Sequence, residues 1–158
     1  MIYEKIWQKI LNPDEKVEYE FSVSDRYKKI CLICFGIISV VLIIYPPHYI
    51  GVLALLMVSF YFGFYLKVAN AYAFTQKRVI IHRGWLSTIT ISIDYEKITD
   101  VTVNEPLLDK VITHTGHLII NTAGTAFPEV ILTRISRPHE IKKKLDKLRG
   151  QLPSKSEI

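Results

Sequence analysis

Two apolar runs that meet at a Pro-Pro turn constrain this chain more than any other feature. Ile30–Ile44 holds no ionisable side chain except two thiols, and Ile50–Leu66 carries no formal charge. At a rise of about 1.5 Å per residue, helices of roughly 16 to 18 residues cover about 24 to 27 Å, slightly less than the hydrocarbon core of a bilayer. We therefore predict a transmembrane helical hairpin over residues 27–67, with tyrosines at headgroup level.

A soluble alternative has to be weighed, because helices buried in a globular core are also apolar on all sides. A chain of 158 residues would then have to wrap two such helices completely, while its remaining residues already resemble a self-sufficient domain. Pro46 and Pro47 suit a tight connection between spans, since neither donates a backbone N–H and each biases the preceding residue away from helix. Both ends of the hairpin are then expected on the same side of the membrane.

The positions of lysine and arginine predict which side that is. Arg26, Lys28 and Lys29 precede the first run, whereas the turn between the runs has no basic residue. Lys67, Lys77 and Arg78 follow the second run. By the positive-inside tendency, both termini are expected in the cytoplasm. The first run begins nearly thirty residues into the sequence, without a basic n-region or a cleavage site, and is therefore expected to be a retained anchor.

The excess positive charge lies entirely after the hairpin. Residues 67–158 hold fourteen basic and nine acidic side chains, which accounts for the whole net charge of +5. Anionic lipid attracts a well-placed Lys or Arg by about 1 kcal/mol, so membrane lipid is an expected partner. Positive-inside bias together with a solvated helix face explains the charge equally well. Nucleic acid is not expected, because the chain has no aromatic-studded basic ribbon or recognition-helix motif.

The N-terminal segment, residues 1–26, is predicted to form a cytoplasmic amphipathic helix and one strand. Over Met1–Leu11 the apolar residues fall on one helical face, and Asn12-Pro13 ends the pattern. The helix would either lie in the membrane interface, anchored by Trp7, or cap the soluble domain. Glu15–Val23 then alternates apolar and charged residues, as a β-strand does.

Strand patterns follow the hairpin at intervals of about 8 to 12 residues, which indicates an antiparallel sheet that closes on itself. The predicted strands are Asn70–Thr75, Arg78–Arg83, Leu86–Asp94, Ile98–Asn104, His117–Thr122 and Val130–Ile135. A helix with Pro138 in its first turn follows, with Ile141, Leu145, Leu148 and Leu152 in one apolar stripe. Residues 153–158 are predicted to be disordered.

This pattern gives an α+β membrane protein: a two-helix transmembrane hairpin followed by a pleckstrin-homology-like (PH-like) antiparallel β-barrel or sandwich over residues 68–152, capped by one C-terminal α-helix. The run from Tyr72 to Leu86 also resembles the opening of the bacterial PH-like domain family, whose members share a Tyr, a Thr, an Arg and a later Arg/Lys-Gly at this spacing. Residues 93–101, 116–120 and 135–140 resemble later landmarks of the family. The resemblance implies a PH-like fold on a bacterial cell-membrane protein, no established enzymatic activity and poorly defined ligands.

Two basic groups are candidate contacts for lipid or a partner. The candidates are Lys77, Arg78, His82 and Arg83 around the first strand pair, and Lys142, Lys143 and Lys147 on the helix. Strand alternation places Arg78 and His82 on one face and Lys77 and Arg83 on the other, so the first four are not expected to converge. Arg78 is expected to pair with an acidic neighbour such as Asp94 or Asp100 rather than with a ligand.

Catalytic and metal-binding patterns are weak. His114 and His117 form the only close histidine pair, without a carboxylate or thiol at ligand spacing. Cys31 and Cys34 have the spacing of a redox or metal pair, but within an apolar run they are better explained as buried small residues. No phosphate-binding glycine loop or nucleophile elbow is present. We expect no catalytic residue, no metal and no cofactor.

Two functions of different class remain. The first is a non-enzymatic, membrane-anchored PH-like module that presents a cytoplasmic binding surface to anionic lipid, to a second copy of the chain or to a paired membrane protein. The second is an accessory subunit of a membrane transporter or export complex, in which the hairpin is the functional surface.

Overall fold

The computed structural model describes residues 3–124 and 129–151, and two antiparallel sheets form the body of the protein. The helices are α1 (Glu4–Ile10), α2 (Asp25–Ile44), α3 (His48–Val68, π-helical over Ser59–Tyr65) and α4 (Pro138–Gly150). The strands are β1 (Val17–Ser22), β2 (Asn70–Thr75), β3 (Arg78–Arg83), β4 (Ile89–Asp94), β5 (Ile98–Asn104), β6 (Thr115–Thr122) and β7 (Glu129–Ser136). The predicted disordered tail and Leu152 lie outside the described residues.

The two sheets enclose a single main core, and α4 covers one end of it. One sheet has the order β1-β2-β3-β4 and the other β5-β6-β7, with every pair antiparallel. Tyr72, Phe74 and Ile81 from the first sheet pack with Leu118 and Leu132 from the second, all without solvent exposure. The apolar stripe of α4 enters the same core through its buried residues, Ile141 and Leu145. This is the predicted PH-like sandwich with one C-terminal helix.

The hairpin is inserted within the sheet rather than placed before it. Sequence reasoning put β1 in a separate N-terminal segment and the PH-like module at residues 68–152. In the structure β1 pairs with β2 over its whole length, with Ser22 opposite Ala71. The Ser22 hydroxyl also donates a hydrogen bond to the Asn70 carbonyl. The strand on each side of the hairpin is therefore a partner of the other, and the PH-like fold begins with β1.

Helix α1 packs on the outer face of the first sheet, which corrects one of the two interpretations left open for it. Trp7 is only 2% exposed and lies against Ala71, Ala73 and Ile80. Its indole N–H donates to the Glu20 carboxylate at 3.0 Å. Trp7 is therefore part of a second small core and not an anchor in the membrane interface, so α1 caps the soluble domain.

Helices α2 and α3 form an antiparallel pair whose outer surfaces are exposed. They contain 20 and 21 residues and are long and apolar enough to span a membrane, and only 11% of the most apolar 18-residue stretch of each is buried. Gly51 permits the close approach, since a Cβ there would collide with the backbone of Ile43. Cys31 and Cys34 hold free thiols on α2, one half-buried and one exposed, rather than two buried side chains.

The domain has two ends, which we call the hairpin end and the far end. At the hairpin end, Trp85 of the β3–β4 turn packs on Phe60 and Phe64 of α3, with ring centroids 5.6 and 5.4 Å apart. The π-helical turn between β5 and β6 contacts α2 at the same end. Because successive strands are antiparallel, the β2–β3 turn, the Tyr95–Lys97 turn and residues 12–15 gather at the far end.

Candidate functional site

Arg78 lies at the far end, where its guanidinium forms an ion pair with a buried carboxylate. Arg78 Nη2 is 2.6 Å from Glu15 Oε2, and its Nε is 2.9 Å from Glu15 Oε1. The Thr75 hydroxyl donates to Glu15 Oε1 at 2.6 Å and accepts the Arg78 backbone N–H at 3.1 Å. Glu15 therefore connects the segment before β1 to the turn between β2 and β3.

The environment of this pair keeps both groups charged. Burial alone would raise the pKa of the Glu15 carboxyl, but hydrogen bonds from Arg78 and Thr75 and the charge of Arg78 outweigh it, and the net pKa is lowered. The hydrogen bond to Glu15 likewise raises the pKa of Arg78. A doubly hydrogen-bonded ion pair of this kind fixes geometry and leaves the guanidinium little capacity for a ligand.

The sequence-based choice of partner for Arg78 was wrong. Asp94 faces Arg78 in the β3–β4 register, yet the carboxylate that binds the guanidinium belongs to Glu15. Asp94 instead lies 3.4 Å from Lys97. Asp100 contacts Thr102, its neighbour along β5. Glu15 was missed because it lies 63 residues from Arg78, and no local pattern in the sequence relates the two positions.

Lys77 borders a shallow depression beside this ion pair. The depression has a volume of about 360 Å³ and is lined by Asn12, Asp14, Glu15, Lys77, Arg78 and Asp94. Three of those residues are acidic, so the depression does not present the uniformly positive surface that a phosphate group requires. Among the described residues, Lys77 and Arg78 therefore do not form an anion site at the far end.

His82 lines a larger groove between α1 and the β3–β4 turn. The groove has a volume of about 810 Å³, and the residues that line it include Gln8, Lys9, His82, Trp85 and Thr90. The imidazole Nδ1 lies 3.1 Å from the Thr90 hydroxyl, and burial lowers the pKa of His82. The groove thus offers one lysine, hydroxyls and a histidine beside apolar side chains, close to the hairpin end.

Arg83 lies on the other face of β3 and stabilises the fold. Its guanidinium donates to the carbonyl of Ile131 on β7, so it joins the two sheets. Arg78 and His82 share the face that α1 covers, while Arg83 points away from it. The basic residues of β3 therefore do not converge, as strand alternation predicts.

The lysines of α4 line an exposed face that runs along the domain. Lys143 and Lys147 are exposed and Lys142 is half-buried. The Lys144 ammonium lies 3.5 Å from the centroid of the Tyr19 ring, a cation–π contact. The helix begins at the hairpin end, where Pro138 lies beside Gly116, and ends where Arg149 donates to the Ile98 carbonyl at 2.9 Å. These lysines are thus spread from one end of the domain towards the other.

The two histidines of the close pair belong to different elements in the structure. His114 ends the π-helical turn with a left-handed backbone, whereas His117 lies in β6 with its Nε2 3.5 Å from the Asp109 carboxylate. No group of three or more potential metal ligands occurs within residues 3–124 and 129–151.

Comparison with known proteins identifies the fold family. A family model described as "Bacterial PH domain" matches residues 21–149, from β1 across the hairpin to the end of α4. The chain belongs to the bacterial PH domain family. A crystal structure of a protein with a pleckstrin-homology domain from Shewanella loihica PV-4 is similar at a TM-score of 0.52 and 11% identity, covering 94% of this chain and 90% of that one. A pleckstrin homology domain from Shewanella amazonensis SB2B is similar at a TM-score of 0.50 and 15% identity, covering 94% of this chain and 85% of that one. No curated protein matches.

The residues that carry the family resemblance have structural roles in this bacterial PH domain. Tyr72 is fully buried in the main core. Thr75 and Arg78 hold Glu15. Gly84 adopts φ +102 at the β3–β4 turn, where a Cβ would collide with the Ser87 carbonyl oxygen, so only glycine fits. These four residues are therefore explained by the fold itself.

Proposed function

We propose that this bacterial PH domain is a non-catalytic, membrane-anchored module whose hairpin end binds anionic lipid at the cytoplasmic surface. The observation that carries the proposal is the exposure of α2 and α3. A soluble core helix would be mostly covered by protein, whereas 11% of the most apolar 18-residue stretch of each of these helices is buried. Their exposed side chains are large and apolar, among them Ile33, Leu53 and Leu56, and hydrocarbon is the environment that suits such a surface.

The groove that contains His82 and Lys9 is the proposed lipid-binding site. It opens near the end of α3, since Val68 and Trp85 line it, so a headgroup of the surrounding bilayer can reach it. Lysine, threonine hydroxyls and a histidine are donors for a phosphate group, and the apolar walls suit the adjoining glycerol backbone. The exposed face of α4, which extends away from the spans, is the proposed contact for an acidic protein partner or a second copy.

Site-directed labelling tests the anchoring and its orientation. In a variant with Cys31→Ser and Cys34→Ser, single cysteines are introduced at His48 in the α2–α3 turn or at Lys143 on α4. A membrane-impermeant maleimide added to intact cells is expected to label position 48 and to label position 143 only after permeabilisation. Labelling of both positions in intact cells, or recovery of the chain in detergent-free buffer as a monodisperse species, contradicts the proposal.

Native mass spectrometry of the full chain in mild detergent tests the lipid site. We expect bound anionic phospholipid on the unaltered protein and at least a several-fold lower occupancy after Lys9→Gln with His82→Ala. Lys77→Gln is the matched control, because it removes a positive charge at the far end. Equal loss in the control and the test variant would indicate that net charge alone retains the lipid.

A further inference from the structure

Two segments at the hairpin end expose large apolar side chains that the fold does not require. The β3–β4 turn exposes Trp85, Leu86 and Ile89, of which Leu86 is 89% exposed. The connection between β5 and β6 exposes Leu107, Leu108, Val111 and Ile112, of which Leu107 is 80% exposed. Contiguous exposure of this kind marks an interaction surface rather than a solvent-facing loop.

Both segments are level with the membrane-spanning helices. Trp85 contacts Phe60, which precedes Lys67 by seven residues, or about 10 Å along a helix axis. Its ring therefore lies well inside the boundary that Lys67 marks. On the other side of the hairpin, the connection between β5 and β6 contacts α2.

The second segment has the form of a short amphipathic helix that lies flat on a surface. Two of its polar residues are turned inward, whereas Lys110 is exposed: Asp109 faces His117 at 3.5 Å, and the Thr113 hydroxyl is 2.6 Å from that of Thr115. Lys110 lies 3.5 Å from Glu105 beside the helical turn. The apolar residues occupy the opposite face, which is the arrangement found in helices that bury one side in a membrane interface.

We propose that these two apolar segments insert into the interfacial layer of the bilayer that holds the hairpin, one on each side of it. The inference rests on the proposed membrane anchoring and extends it, because it fixes how the domain stands on the membrane. Lipid is favoured over protein because the segments continue the surface of the spans. The exposed side chains of Lys29 and Lys67 at the same level complement anionic headgroups. The α1 face, the groove and α4 would then rise from the membrane at a fixed angle.

Spin-label depth measurements test the insertion. They use the full chain in vesicles of zwitterionic and anionic phospholipids. In the Cys31→Ser, Cys34→Ser variant, a nitroxide is attached after Leu86→Cys, Leu108→Cys, Val52→Cys or Lys77→Cys. We expect oxygen to relax the labels at positions 86, 108 and 52 more strongly than an aqueous nickel chelate does, and the reverse at position 77. The first three sites are exposed in the structure, so the substitutions leave the packing intact.

The outcomes separate this inference from the anchoring on which it rests. Hydrocarbon exposure at position 52 with nickel exposure at positions 86 and 108 overturns the insertion and leaves the anchoring in place. Nickel exposure at position 52 overturns both. Labels at 86 and 108 that are shielded from both relaxants indicate protein cover and also overturn the insertion.

The native tryptophans give a second measurement without a label. The chain has two tryptophans, so Trp7→Phe leaves Trp85 alone and Trp85→Phe leaves Trp7 alone. Lipids brominated along the acyl chain are expected to quench Trp85 strongly and to leave Trp7, which is buried between α1 and the sheet, nearly unquenched. Equal, weak quenching of the two residues contradicts the insertion.

Discussion

At the scale of single residues, Glu15 connects parts of the chain that are far apart in sequence. Its carboxylate accepts hydrogen bonds from Arg78 and Thr75, and its backbone N–H donates to the Asn12 carbonyl at 3.0 Å. The side chain of Glu15 is 4% exposed and that of Arg78 is 20% exposed, so solvent screens the pair weakly. Arg78, the arginine of the shared family motif, therefore stabilises the fold and fixes the register of β3.

Removing the charge of Glu15 should destabilise the protein. Glu15→Gln leaves the mostly buried guanidinium of Arg78 without its counter-ion, and breaking a buried pair in this way costs about 3 kcal/mol. Chemical unfolding of the domain in detergent, followed by circular dichroism, measures the change. Glu18→Gln alters an exposed carboxylate on β1 and should shift the free energy of unfolding by about 0.5 kcal/mol or less. Equal effects of the two substitutions would show that the ion pair contributes little.

The same ion pair should make stability sensitive to acid. In the folded state the pKa of Glu15 is lowered from its ordinary value of 4.5. Its contribution to the free energy of unfolding is therefore present above pH 4.5 and is lost as the pH falls through the lower pKa of the folded state. The difference in unfolding free energy between the unaltered protein and Glu15→Gln should therefore narrow on acidification. A difference that stays constant from pH 6 to pH 3 would exclude this linkage.

At the scale of elements, α1 is stable only through its contact with the first sheet. A helix of 7 residues is too short to persist alone in water. Trp7 and Tyr3 supply most of its anchoring: the Tyr3 hydroxyl donates to the Lys67 carbonyl at 2.8 Å, at the end of α3. The helix thereby covers the outer face of β2 and β3, which would otherwise expose Ile80.

Truncation of the tryptophan should release this helix. Trp7→Ala removes a side chain that is 2% exposed, and losses of this kind cost about 3 kcal/mol or more. We expect α1 to become protease-sensitive while α2 and α3 keep their protection. Limited proteolysis with mass spectrometry detects the cleavage, and Gln8→Ala, on the exposed face of the same helix, is the control. Protection equal to that of the control would mean that Tyr3 alone holds α1.

Most elements were predictable from the sequence, because their apolar periodicity is local. Asn70–Thr75, Arg78–Arg83 and Ile98–Asn104 are strands with the predicted bounds. The strand predicted from Leu86 begins three residues later, since the turn at Gly84 and Trp85 is wider than expected, and Ile89 at its start is exposed. Between the predicted strands Ile98–Asn104 and His117–Thr122 the structure has a π-helical turn, Asp109–Thr113.

What could not be predicted depends on contacts between distant parts of the chain. Alternation in Glu15–Val23 indicates a strand, but it does not indicate that the strand's partner follows the hairpin, nearly 50 residues later. The burial of Trp7 and the pairing of Glu15 depend on that same arrangement. The sequence pattern of an amphipathic helix is the same whether a sheet or a membrane covers its apolar face.

At the scale of the whole molecule, the hairpin is an insertion into a complete PH-like sandwich. The match to the family begins in β1 and continues after the hairpin, and Ser22 is paired with Ala71 across the point of insertion. The rest of the domain has its own core, formed without any residue of α2 or α3.

Excision of the hairpin should therefore leave a soluble domain. A chain in which Val23 is joined to Asn70 through an Asn-Gly turn keeps all seven strands and closes β1 and β2 as an ordinary β-hairpin. We expect it to stay in solution in detergent-free buffer with a β-rich circular dichroism spectrum. A chain that begins at residue 68 lacks β1, uncovers one edge of β2, and is expected to aggregate. Soluble recovery of both chains would show that β1 is dispensable.

The position of the hairpin between β1 and β2 also fixes the order of events during synthesis. Helix α1 and β1 leave the ribosome first, and the strand that β1 needs emerges only after α2 and α3 have been translated. Under the proposed anchoring, α2 and α3 enter the membrane before the first sheet can form. Completion of the PH-like domain then follows insertion of its proposed anchor.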